Sequence, residues 1–207
     1  MKQIILAVGF LITLTVDGFA AQPNRTVRET VTVQGVVTRG YDADTFWVEE
    51  KNSEPATERK IRVHGADAPE LRQPCKVDDV VVKMCGVIAR DVVLRTIIGN
   101  TVRCDIVNPT YDRDAARCTV MKVHASLPTE QGTAVAVEIL IPDLGLWLIQ
   151  QGLAYADERY APAEYKAAQA EAIANRRGFW NNAFDDPKQG FQFPAQWRWE
   201  QRRPRQQ

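Results

Sequence analysis

Acidic side chains that leave a strand end on a rigid turn can reach a metal ion or a water molecule. The stretch Arg62-Val63-His64-Gly65-Ala66-Asp67-Ala68-Pro69-Glu70 carries two such acids beside a guanidinium. Ile61 and Val63 alternate with Lys60, Arg62 and His64, which predicts a strand with one apolar face and Arg62 on the other. Gly65 permits a turn, and Pro69 biases Ala68 away from helix, so Asp67 and Glu70 are expected on a non-helical loop. Taken alone, such a run also reads as a solvated surface loop. Upstream, Asp42-Ala43-Asp44-Thr45-Phe46-Trp47-Val48 sets two acids on a turn before an apolar and aromatic strand, offering Asp44 as a further hard oxygen ligand.

These side chains need a scaffold, and its pattern is mostly that of strands. Val31, Val33 and Val37 predict a first strand over Glu29–Arg39 with a bulge at Gly35; Thr45–Glu50 and Arg59–His64 follow as a meander. Helical spacing of Val87, Leu94 and Ile97 predicts a helix over Gly86–Ile98, closed by Gly99. Thr101–Ile106 and Ala115–Val123 read as strands joined by a tip that holds Tyr111-Asp112-Arg113, and His124–Val137 as a longer, less regular connection. Asp143 can cap a helix over Leu144–Gln151 that stops at Gly152, and Pro162 opens a helix that ends near Arg177, before Gly178. The expected fold is α+β, mainly β: an OB-like five-stranded barrel packed with about three helices.

Composition bounds the function. The chain has 207 residues, 45% apolar and 25% charged, enough for one well-buried core. Its 26 basic and 26 acidic residues balance, so no global field draws in nucleic acid, and capture of a phosphate must be local. Lys2, the apolar run Ile4–Val16 and the small residues Gly18 and Ala20 predict a signal peptide over residues 1–20, and hence a periplasmic or secreted protein with no stable membrane span after cleavage. Residues 21–184 are expected to form the domain. Residues 185–207 are expected to form a peripheral tail in which Trp197 and Trp199, among Arg198, Arg202, Arg203 and Arg205, pin the chain end to the body. The same aromatic and basic interleaving is of a kind that stacks on bases. Neither His64 nor His124 has the partners of a catalytic or metal-binding histidine motif, and no phosphate-cradling glycine loop is present.

Asp42-Ala43-Asp44-Thr45 followed by Arg62 and Asp67-Ala68-Pro69-Glu70 resembles the staphylococcal nuclease (thermonuclease) family, which carries Asp-Gly-Asp-Thr and then an arginine ahead of Asp-Thr-Pro-Glu. The likeness extends from about Val31 to about Trp180 and includes Gln150-Gln151-Gly152-Leu153-Ala154. It implies a monomeric, calcium-dependent nuclease acting on DNA or RNA, with Ca²⁺ held by Asp44, Asp67 and the Ala68 carbonyl. Glu70 would activate water, and Arg62 with a second arginine would hold the phosphate. Two residues compete for that second place, Arg113 and Arg117, and alignment through Ala116 and Cys118 favours Arg113. Tyr111 and Tyr160 are the implied substrate contacts; the family's other pocket tyrosine is matched by Glu158 or by a shifted Tyr155.

The chain departs from the family where Asp112 replaces a glycine and Pro109 an aspartate, and an ion pair between Asp112 and Arg113 would weaken the grip on phosphate. The four cysteines lack zinc-site spacing and allow three disulfide pairings. Cys75 with Cys85 and Cys104 with Cys118 is the expected one, an arrangement also common in exported bacterial members of the family. Two other readings remain open: a noncatalytic OB-fold module that binds nucleic acid or another ligand, and an envelope assembly protein that uses the tail as its contact.

Overall fold

The computed structural model describes residues 31–51, 54–77, 80–82, 84–110, 112–128, 134–180 and 193–202, with backbone alone for residues 76–77, 80–82, 122–128 and 134–139. The predicted signal peptide and Tyr111 lie outside the described residues.

Alternation builds the first three strands, β1 (Thr32–Gly40), β2 (Thr45–Glu50) and β3 (Glu58–Val63). Val33, Val37, Phe46, Val48, Ile61 and Val63 point inward and are buried. Gly35 is required for close approach, because a Cβ there would lie 1.9 Å from the Glu49 carbonyl oxygen. The irregularity expected at Gly35 instead falls between Val37 and Arg39, where the β1–β2 register shifts. Past β3 come the two-residue β4 (Ala66–Asp67), then β5 (Cys75–Val77) and β6 (Val80–Val82), and then α1 (Cys85–Ile97), which presses Ala89, Val93 and Ile97 onto the core. Each large aliphatic side chain buried this way contributes about 1.5–3 kcal/mol.

β7 (Thr101–Asn108) and β8 (Asp114–Pro128) continue the sheet, and β3 pairs in parallel with β8 from Ile61↔Asp114 to Val63↔Ala116, closing five strands into a barrel. β9 (Ala134–Ile141) adds to the free side of β8 in the order β3-β2-β1-β7-β8-β9. The irregular connection expected over His124–Val137 is thus largely a hairpin: β8 runs on to Pro128 and pairs with Ala134 onward. The polar insert around residues 128–133 hid the continuity of the two strands.

α2 (Leu144–Gln150) begins at Asp143, whose carboxylate accepts the Leu146 N–H at 2.9 Å. β10 (Tyr155–Ala156) pairs with β4, setting Tyr155 opposite Asp67. α3 (Ala163–Ala174) ends three residues earlier than Arg177, and Arg176 and Gly178 turn with positive φ. A fourth helix among the described residues, α4 (Pro194–Arg202), stands where the sequence suggests a tail. Both expected disulfides form, Cys75–Cys85 and Cys104–Cys118. Among the described residues no helix is long and apolar enough to cross a membrane.

Candidate active site

Closure of the barrel brings the two acidic motifs together. Val63 N–H donates to the Asp44 carbonyl at 2.8 Å, so the turn before β2 lies against the end of β3. The Asp44 carboxylate is buried and fully engaged: Oδ1 accepts from Arg62 Nη1 and from the Thr45 hydroxyl, each at 2.8 Å, and Oδ2 accepts the Ala68 N–H at 2.7 Å. Arg62 also donates through Nη2 to Asp67 Oδ1 at 2.7 Å, bridging the two acids. Ala68, one of the expected metal-holding residues, therefore orients Asp44 through its own amide.

Glu70 is placed by a different set of contacts. Its N–H donates to the Gln73 side chain at 3.1 Å, and Gln73 N–H returns to the Glu70 carbonyl at 2.8 Å. The start of α1 abuts this turn so tightly that a Cβ on Gly86 would lie 2.1 Å from the Glu70 carbonyl oxygen. The Cys75–Cys85 bridge ties the same turn to the helix. Glu70 is thereby fixed at the mouth of a cavity of about 720 Å³ that Arg62, Arg113, Tyr160, Arg198 and Arg202 also line.

Of the two competing arginines, Arg113 lines this cavity. Arg117 is exposed on β8 opposite Asp105 of β7, and its charge acts on His64 and Tyr165. The pairing of Asp112 with Arg113 expected from the sequence does not form. Asp112 accepts from the Thr110 hydroxyl at 3.2 Å, and Arg113 has no carboxylate partner among the described residues. The acid that does pair is Asp114, held by Arg59 of β3. Tyr160 is exposed, its ring centre 5.7 Å from that of His64.

Charge in the site is close-packed. Burial, and then the neighbouring Asp44, pushes the Asp42 carboxyl up to about 8. Burial likewise raises Asp67, against the opposing effect of hydrogen bonds from Arg198. For Arg62, burial disfavours the charge, but Asp44, Asp67 and Asp42 outweigh it and hold the guanidinium above its ordinary value.

Arg198 is the residue that sequence reasoning missed. It reaches back from α4 to donate to Asp67 Oδ1 at 2.9 Å and Oδ2 at 3.0 Å and to Glu70 Oε1 at 2.7 Å. The expected tail thus reaches the site at this point through a guanidinium. The only sequence signal was the basic character of Trp197-Arg198-Trp199, which marks no particular partner.

Buried carboxylates with hard oxygens suit a divalent cation such as Ca²⁺, and Asp44 and Asp67 supply them. Among the described residues no three His, Cys, Asp or Glu side chains are grouped at metal-binding spacing. Arg62 and Arg198 face the oxygens instead, so the donor set fits the ion in chemistry once guanidinium contacts are exchanged for it. A family model described as staphylococcal nuclease homologue matches residues 60–182, and no curated protein matches the chain.

Proposed function

Because the chain belongs to the staphylococcal nuclease family, we propose that it is a calcium-dependent phosphodiesterase hydrolysing DNA or RNA, exported by a signal peptide at residues 1–20 and active as a monomer. One observation carries this reading: Arg62, Glu70 and Arg113 line a single cavity, with the buried Asp44 and Asp67 behind Arg62. Two disulfides are compatible with an oxidising compartment.

Hydrolysis of a phosphodiester needs a base for water, cations against the phosphate oxygens, and stabilisation of the leaving oxygen. Glu70 takes the proton of water as its oxygen bonds to phosphorus. Arg62 and Arg113, planar forks suited to paired oxygens, hold the phosphate from two sides. Arg113 also faces the charge that grows on the leaving oxygen as its bond to phosphorus breaks. Asp44, Asp67 and the Ala68 carbonyl would hold Ca²⁺, which when bound supplies further positive charge to the phosphate. Tyr160, at the cavity rim, offers a ring face for a base. Tyr111 is retained as a substrate contact on the resemblance alone.

A noncatalytic binding role is favoured by one specific feature, the engagement of Glu70 by Arg198. The two readings separate in one assay. Denatured DNA and RNA are incubated with the protein in Ca²⁺ and in chelator; release of fragments in Ca²⁺ alone supports the enzyme, and retention of substrate without cleavage in both conditions supports the binder.

A further inference from the structure

α4 carries a charged fastening to the body. Of its residues only Pro194 is buried, while Trp199 is 53% exposed. Just ahead of it, Phe193 meets the Tyr155 ring edge-on at 5.2 Å. Between Ala195 and Gln196 and the strand end at Tyr155–Asp157 the contact is incomplete, leaving a cavity of about 210 Å³. The charged fastening of α4 is the fork of Arg198, which takes both oxygens of Asp67 and one of Glu70.

Those three oxygens are among the ones the proposed activity needs free, and Arg62 donates to one of them as well, Asp67 Oδ1. Calcium binds oxygen ligands at about 2.3–2.6 Å. A cation that close to Asp67 would press against the Arg198 nitrogens donating to the same carboxylate, and two positive charges at contact distance exclude each other. Glu70, meanwhile, cannot accept a proton from water through the oxygen that Arg198 holds.

We propose that α4 is a displaceable internal inhibitor, in which Arg198 acts as a built-in counter-cation that competes with the divalent ion for Asp67 and masks Glu70. Loading the site with the ion then requires Arg198 to leave, and α4 loses this tether. The inference rests on the metal-dependent reading of the site, but it is read from ion binding and helix release rather than from turnover.

The experiment uses the full chain. Ca²⁺ affinity is measured by calorimetry for wild type, Arg198→Ala and Phe193→Ala, the last loosening the helix without altering a charge near the carboxylates. If the docked form is about 90–99% of the population, removing it should tighten Ca²⁺ binding about 10- to 100-fold. Both variants are expected to tighten it, and saturating Ca²⁺ should accelerate hydrogen exchange of the α4 amides in wild type. Tightening in Arg198→Ala alone, with α4 exchange unchanged by Ca²⁺, would mean that the guanidinium acts locally, and it overturns release of the helix. Unchanged or weaker binding in Arg198→Ala overturns the competition itself while leaving the nuclease reading standing. Absence of Ca²⁺ binding in all three proteins would remove the metal-dependent reading and the inference with it. Competition without any hydrolysis would leave the inference in place and sink only the enzyme.

Discussion

The carboxylate of Asp44 accepts the backbone N–H of Ala68 at 2.7 Å across 24 residues of chain, and this bond joins the two acidic motifs into one site. Replacing Asp44 with alanine leaves that amide, the Thr45 hydroxyl and one arm of Arg62 without their acceptor in a buried place. Breaking a buried ion pair by removing one partner costs about 3–5 kcal/mol. Urea unfolding of Asp44→Ala should show a loss of that order, and calorimetry should show loss of Ca²⁺ binding.

The two arginines of the β7–β8 region should behave oppositely. Arg113 lines the cavity, whereas Arg117 is exposed on β8 and is not among the lining residues. Loss of one donor to the transition state typically costs about 10²–10³-fold in turnover. Arg113→Ala is expected to show a fall in that range, and Arg117→Ala to stay within about twofold of wild type. The reverse order in steady-state rates would give the phosphate contact to Arg117 in place of Arg113.

Stability in the absence of divalent ions should fall as the solution becomes more alkaline. Asp42 holds its proton up to about 8 in the folded chain, against 3.8 as its ordinary value. Below that ordinary value both states are protonated and the contribution is intact; between the two values the folded state binds more protons than the unfolded one, so stability drops with rising pH and levels off above about 8. Asp42→Asn, which does not titrate, should gain in melting temperature over wild type from pH 4 to pH 8, most at the upper end. A constant difference across that range would show that Asp42 is ionised throughout.

Glu70 owes its position to a glycine. At Gly86 a Cβ would strike the backbone carbonyl of Glu70 at 2.1 Å, and backbone cannot yield as a flexible side chain does. Gly86→Ala should cost about 1–3 kcal/mol in denaturant unfolding, as overpacking does. It should also lower kcat while Ca²⁺ affinity, set by Asp44 and Asp67, changes little. Equal losses in both would point to a general loosening of the site.

The barrel was legible because each core strand alternates over a short, continuous run, as Ile61 and Val63 do around Arg62. The Cys104–Cys118 bridge was legible as a staple between two successive strands, and it sets both sulfurs inward with Arg117 exposed. The β8–β9 hairpin was not, since its pairing from Val120↔Ile141 to Pro128↔Ala134 spans a polar insert that ends the local pattern. Asp112 was expected to pair with Arg113 because they are neighbours, yet the pair that forms is Arg59 with Asp114, set by the parallel β3–β8 contact. Arg198 lay furthest from reach. Its partners are 131 and 128 residues away, and no local pattern encodes where a charged helix will dock.

The role of Glu70 as the base for hydrolysis is read out by its isosteric amide. Glu70→Gln keeps the size of the side chain and leaves Asp44 and Asp67 in place, so its Ca²⁺ affinity should be no weaker than that of wild type. A positioned general base contributes about 10²–10⁴-fold. Single-turnover hydrolysis of denatured DNA at saturating Ca²⁺ is therefore expected to slow by that factor in Glu70→Gln, while a rate equal to that of wild type, with Ca²⁺ bound, would rule out Glu70 as the base.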